Sequence, residues 1–181
     1  MAYLDGNGLG YFWNKIKTLI GIPTNGIIGY DGSTIPAGYE EVAGKSVIMG
    51  RVDTDYSKTA TANWQETDIL TTQKIKKGNG ISMQSNGQFL IGSGINAVKV
   101  SAILNCQSSN NNLFGITLYK NSEKLTGVYN VKYSTSYGFY SIANYPVEVQ
   151  QGDVIKVKSY IDVNGNSLTV KNGTYITIEE V

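Results

Sequence analysis

Apolar residues along this chain follow two different periods, and the change between them divides it. Leu9, Phe12, Trp13, Ile16, Leu19 and Ile20 recur at spacings of three and four, with Asn14, Lys15, Lys17 and Thr18 between them. That spacing predicts an amphipathic helix over 9–20. Asp5 or Asn7 suits its N-cap, and Gly21 followed by Pro23 is a stop signal. A helix of about three turns is marginal alone in water. Its apolar face therefore needs a cover, supplied by the same chain, by sister helices or by a neighbouring protein. Burying Phe12, Trp13, Ile16 and Leu19 is worth about 6–10 kcal/mol as an upper bound.

After Gly21 the helical period disappears. From 22 to 66 short extended pieces predominate, with candidate strands at 26–30 and 45–49 and a turn at Ser33-Thr34-Ile35-Pro36-Ala37-Gly38-Tyr39. Residues 51–66 are polar, with Tyr56 and Trp64 as anchors, and have the composition of a linker or of a loop ordered by assembly. From Thr67 the period is two. Val98, Val100, Ala102, Leu104 and Cys106 fall on one face of an alternating run. Phe114, Ile116 and Leu118 form a second such run, Ile155, Val157, Ile161 and Val163 a third with Ser159 in one slot, and Ile176 and Ile178 a fourth. Asn79-Gly80, Asn86-Gly87, Asn164-Gly165 and Asn172-Gly173 lie between the runs. Asn-Gly favours turns whose central residues need positive φ, so each predicts a hairpin. About eight to ten strands at this spacing imply a β-sandwich or barrel. The expected organisation is a helical segment at 1–21, an adaptor and linker at 22–66, and an antiparallel β head at 67–181.

Composition supports a mainly β chain and removes several classes of function. Gly (21) and Tyr (13) are abundant and Pro (3) is scarce among the 181 residues, a mixture suited to short strands and tight turns. A formal charge of +1 leaves no basic footprint for nucleic acid or an acidic membrane surface. No apolar run reaches a spanning length, and Met1-Ala2-Tyr3-Leu4-Asp5 lacks the basic start of a signal peptide. Synthesis in a cytoplasm without membrane insertion is the expectation. His is absent and Cys106 is the single cysteine, which excludes an intramolecular disulfide, Cys/His metal sites and His-based triads. Glu40-Glu41 and Glu179-Glu180 are adjacent pairs that a strand would point to opposite faces, so neither can flank one glycosidic bond. Asp53-Thr54-Asp55 opens like a calcium loop, but Lys58 and Trp64 occupy the places of its Gly and Glu. No catalytic residue, cofactor or metal site is expected.

One stretch offers binding chemistry. Tyr129, Tyr133, Tyr137 and Tyr140, followed by Asn144, stand among Asn, Ser and Lys. Tyr presents a flat apolar face and a hydroxyl, which suits stacking on a sugar ring while neighbouring polar groups bond its hydroxyls. Tyr is equally at home in strands, barrel rims and subunit interfaces.

Two motifs carry a resemblance. Residues 4–17, Leu-Asp-Gly-Asn-Gly-Leu-Gly-Tyr-Phe-Trp-Asn-Lys-Ile-Lys, resemble the N-terminal segment of phage and prophage tail-fibre and baseplate proteins. Residues 22–42, with Gly32-Ser33 and Pro36-Ala37-Gly38-Tyr39, resemble the opening of phage tail-collar modules. Such modules often hold metal through axial histidines, which this chain lacks. Leu118-Tyr119-Lys120-Asn121, Gln151-Gly152-Asp153-Val154 and Thr174-Tyr175-Ile176-Thr177-Ile178 are similar to trimeric jelly-roll heads of the tumour-necrosis-factor and complement-head type. The resemblance implies a virion protein of the tail or baseplate: a homotrimer that docks on other tail proteins and binds host-surface saccharide through its head. Leu9, Phe12, Trp13 and Ile16 become the attachment residues, and Tyr129, Tyr133, Tyr137, Tyr140 and Asn144 the saccharide candidates. The other reading is a purely structural adaptor or decoration protein.

Overall fold

The computed structural model describes residues 45–108, 112–132 and 137–181. The predicted helix with Leu9, Phe12, Trp13 and Ile16, the collar-like residues 22–44, and Tyr133 lie outside the described residues.

Alternation of side chains builds the strands. Among the described residues these are β1 (Val47–Arg51), β2 (Tyr56–Thr59), β3 (Gln65–Asp68), β4 (Thr72–Lys77), β5 (Ile81–Met83), β6 (Phe89–Ile91), β7 (Ala97–Ser108), β8 (Asn112–Lys120), β9 (Glu123–Lys132), β10 (Tyr137–Glu148), β11 (Val154–Ile161), β12 (Ser167–Val170) and β13 (Tyr175–Glu180). They form two antiparallel sheets. In the first, β7 pairs with β10 along one side and with β12 and β13 along the other; β2 extends β12, while β1 and then β4 extend β13. In the second, β11 pairs with β8 on one side and with β6 and β3 on the other, and β9 and β5 complete it.

The core lies between the facing sides. Val98, Val100, Ala102, Leu104 and Cys106 of β7 are buried with Ile48, Ile176 and Ile178, and Phe89, Phe114, Ile116, Leu118, Ile155 and Val157 belong to the same cluster. The four alternating runs therefore take the faces expected of them, except that Val163 lies past the end of β11 and is exposed.

The sandwich takes in strands from before Thr67. The strand expected at 45–49 is met by β1, while residues 51–66, expected to be a linker or loop, supply β2 and the start of β3. β1 is wedged between β13 and β4, β2 pairs with β12 and β3 with β11. Tyr-Ser-Lys-Thr and Gln-Glu-Thr-Asp have little apolar content; in β2 side chain–side chain hydrogen bonds do part of the pairing, and in β3 Ser159 Oγ of β11 donates to Thr67 O at 3.2 Å. Ser57 bonds Thr169 at 2.8 Å and Thr59 bonds Ser167 at 2.7 Å.

The Asn-Gly pairs also behave differently from expectation. Only Asn86-Gly87 joins two strands that pair with each other, β5 and β6. Asn79-Gly80 leads from β4 to β5 and Asn164-Gly165 from β11 to β12, both passing between sheets, while Asn172-Gly173 joins β12 and β13, which share β7 rather than each other. None of the four Asn residues has positive φ, so the turn with both central residues left-handed does not form. The tight connection between β8 and β9 is instead Asn121-Ser122, with Asn121 at φ 55°.

That turn is locked to the one before β11. Asn121 Nδ2 donates to Asp153 Oδ1 at 2.8 Å, Val154 N to Asn121 Oδ1 at 2.9 Å, and Gln150 N to Asp153 Oδ2 at 3.0 Å. The hydrogen bonds from Asn121 and from the Gln150 backbone hold the buried Asp153 carboxyl below its usual range. A depressed folded pKa gives stability that is present above the unfolded value of about 3.9 and is lost as pH falls through the folded one. Asp153→Asn should therefore lower Tm at neutral pH and flatten its fall on acidification, as thermal melts from pH 7 to 2.5 will show.

Candidate functional site

The antiparallel register of the second sheet sets Glu66 of β3, Tyr160 of β11, Gly115 of β8 and Tyr129 of β9 in one cross-strand row on its outer face. The next row is Asp68, Lys158, Thr117 and Gly127. Two glycines in adjacent rows leave a gap in the surface, and the Tyr129 ring fills it. A methyl at Gly115 would stand 2.6 Å from Tyr129 Cδ1, and one at Gly127 2.6 Å from Tyr129 Cζ. Lying over both glycines, Tyr129 meets Tyr160 edge-on, with centroids 4.8 Å apart at 71°. This is a favoured aromatic geometry.

Trp64 forms the outer wall. It is 70% exposed, tilted at 44° to Tyr160 with centroids 6.3 Å apart, and has φ 60°. A bulky residue in the left-handed region costs about 1–3 kcal/mol and persists where its surroundings fix it. Here Trp64 N donates to Asp162 O at 2.9 Å, Gln65 Oε1 accepts from Thr61 N at 2.6 Å, and Asn63 Oδ1 accepts from Asn164 N at 2.9 Å.

The polar groups sit on the side of Tyr119. Its hydroxyl donates to Glu66 Oε2, and Lys124 Nζ donates to Glu66 Oε1 at 2.6 Å. The ammonium lies 5.2 Å from the centroid of Tyr129, 5.9 Å from Tyr119 and 6.0 Å from Tyr160, within range of cation–π attraction. Burial acts to lower the Lys124 pKa, but the hydrogen bonds to Glu66 and Tyr129 outweigh it and hold the ammonium above its ordinary range. Burial, followed by the bond to Glu66, pushes the Tyr119 phenol up to about 12. At neutral pH the site thus holds a charged Lys124 and an intact Tyr119 phenol. Trp64, Glu66, Leu113, Tyr119, Lys124, Tyr129 and Tyr160 line an open depression of about 440 Å³.

The four saccharide candidates among the described residues, Tyr129, Tyr137, Tyr140 and Asn144, do not converge. Tyr129 belongs to the depression. Tyr137 is 59% exposed, but on the first sheet, where it pairs with Gln107 and lies under the Lys171 ammonium at 5.6 Å. Tyr140 is a core residue whose hydroxyl donates to Asn130 O at 3.3 Å. Asn144 forms a bulge in β10, with φ 48°; its N donates to Ser101 Oγ at 3.0 Å, and that hydroxyl donates to Asn144 Oδ1 at 3.2 Å. The reason is topological: the chain leaves β9 in one sheet and enters β10 in the other, where alternate residues point opposite ways. Trp64, Glu66, Tyr119, Lys124 and Tyr160 escaped the sequence reading because they come from separate segments. The available signal was an isolated Trp next to short polar strands.

No protein-family model and no curated protein matches the sequence. Solved structures do match in fold. Murine APRIL at pH 5.0 superposes with a TM-score of 0.59 at 15% identity, over 76% of this chain and 99% of that one. An Eiger TNF from S. frugiperda gives 0.58 at 11% identity, over 76% and 92%. The PRD1 vertex protein P5 gives 0.50 at 14% identity, over 75% and 96%. The described residues therefore share the jelly-roll fold of tumour-necrosis-factor-type heads, as the resemblance in sequence implied.

Gly127→Ala should lift the Tyr129 ring from the sheet and open its contact with Tyr160. The checks are loss of ring-current shifts between the two tyrosines in NMR spectra and a fall in stability of about 1–3 kcal/mol.

Proposed function

We propose that this chain is a non-enzymatic component of a bacteriophage virion, in the tail or baseplate, whose head binds host-surface saccharide as a homotrimer. The observation that carries the binding role is Trp64: an exposed indole, held in a costly backbone conformation beside Tyr160 and Tyr129, at the mouth of a depression with a carboxylate and an ammonium. Flat apolar faces beside polar groups suit a pyranose, whose ring stacks while its hydroxyls are bonded. The virion setting is supported by the phage-like residues 4–17 and 22–42 and by the fold shared with a phage vertex protein. Leu9, Phe12, Trp13 and Ile16 would then dock on neighbouring tail proteins.

Support for trimerisation comes from the outer face of the first sheet. Register places Tyr137, Phe139, Ile103, Tyr175, Met49 and Ile75 on that face, with Phe139 70% and Ile75 47% exposed. Gln107, Asn105, Ser141 and Thr177 stand among them on the same face, and such a mixed surface with exposed apolar points suits contact with a second copy in a closed ring. Three saccharide sites on one assembly would raise avidity by about 10²–10⁴-fold over a single contact. The same face favours the second reading, a structural adaptor or decoration protein, because copy-to-copy packing needs no ligand.

Light scattering of the full chain should give three copies, and a monomer would remove the avidity argument. Full-length protein should sediment with cell walls of a susceptible host, and Trp64→Ala should reduce the bound fraction at least about tenfold, an effect of one lost stacking contact. Wall binding unaffected by Trp64→Ala would leave the structural reading.

A further inference from the structure

The parts of the depression differ in how firmly they are held. Glu66 is fixed in β3 by pairing with β11, its side chain is 13% exposed, and both of its oxygens accept hydrogen bonds. Tyr129 is seated on two glycines, and Tyr160 is 6% exposed. Lys124 is the more exposed of the two charged members, although its ammonium is bonded to Glu66 at 2.6 Å. It stands two residues past the β8–β9 turn at a register irregularity, and its side chain is 40% exposed. What is fixed is thus a set of three rings and one carboxylate, which together attract a positive charge. What is movable is the charge itself, carried on a four-carbon tether. Beside it the Trp64 indole, 70% exposed and touching only the Tyr160 ring among the described aromatic residues, offers a stacking face.

We propose that the depression is an ammonium cage which Lys124 occupies in the free protein, and that its external ligand is a saccharide bearing a free amine. The sugar's ammonium replaces Lys124 on Glu66 and beneath the tyrosines, while its ring stacks on Trp64. The exchange is neutral in charge: one cation leaves the carboxylate as another arrives, and the released lysine is solvated. An anionic sugar has no exchange to make on Glu66, and the cation it would meet instead is Lys158, whose ammonium lies 4.7 Å from the Tyr119 centroid. An N-acetylated sugar keeps the stacking but loses the exchange, since it carries no cation.

This inference rests on the saccharide reading, and calorimetry can separate the two. Full-length protein is titrated with a glucosamine oligomer and with its fully N-acetylated counterpart. The free-amine oligomer should bind about five- to thirtyfold more tightly, the factor expected of one desolvated cation–π and carboxylate contact. Lys124→Met, which keeps the apolar stem, should strengthen amine binding by vacating the cage. Glu66→Gln should abolish the preference, with thermal melts confirming that both variants are folded. Equal or tighter binding of the N-acetylated oligomer, or weaker amine binding by Lys124→Met, overturns the cage and leaves a neutral-sugar site. If neither oligomer binds while wall binding stays dependent on Trp64, the cage is again overturned and the saccharide reading survives. Wall binding indifferent to Trp64→Ala removes both.

Discussion

The structure depends on the pairing of β7 along both of its edges. Its twelve residues bury a side chain at every second position from Val98 to Ser108, and its backbone receives β10 on one side and β12 and β13 on the other. A slip of one residue would turn that whole apolar row to solvent and bring the outer row into the core. Because β13 carries β1, and β1 carries β4, the register of β7 passes through the sheet to residues far away in sequence. The second sheet closes on the same row, so Phe114, Ile116 and Leu118 meet a surface whose position is already determined.

The depression is the other face of that arrangement. Its floor is regular sheet, with Tyr160 and Glu66 placed by strand pairing, and its shape follows from two missing side chains rather than from a loop. Thr61 to Trp64 is the irregular part, braced against the turn after β11. Lys124 and Glu66 pair their charges, and the polar groups are held apart from the core by a full layer of β-sheet. A sheet floor, a braced wall and a tethered ammonium are properties that a binding surface on a sandwich can combine without disturbing its packing.

Much of the sandwich was legible in sequence because four strands bury one face and wet the other, leaving a clean period of two. β2 and β3 were not legible, since Tyr56–Thr59 and Gln65–Asp68 pair largely through polar residues and show no apolar alternation. The Asn-Gly turns were read correctly as turns but not as to what they join, because local turn chemistry is the same whether the chain returns to its own sheet or crosses to the other. The tyrosine run misled for a related reason. Proximity in sequence is not proximity in space when the chain changes sheets between Tyr129 and Tyr137 and alternates from Tyr137 to Tyr140. A site composed of residues 64, 66, 119, 124, 129 and 160 exists only once the register of three strand pairs is known.

The bulge at Asn144 reverses the parity of β10. Before it Gly138, Tyr140 and Ile142 point inward; beyond it Val147 and Val149 do. Outward positions change accordingly, from Tyr137, Phe139 and Ser141 to Pro146 and Glu148. Among the described residues β10 pairs with β7 alone, so within them it is an edge strand, and an uncovered edge is the usual template for runaway strand addition. A kinked rim with a proline that lacks an N–H and a charged glutamate resists that fate. Polymerisation edge to edge is thereby discouraged, and contact between molecules is directed to the broad faces of the sandwich, where a finite assembly can form.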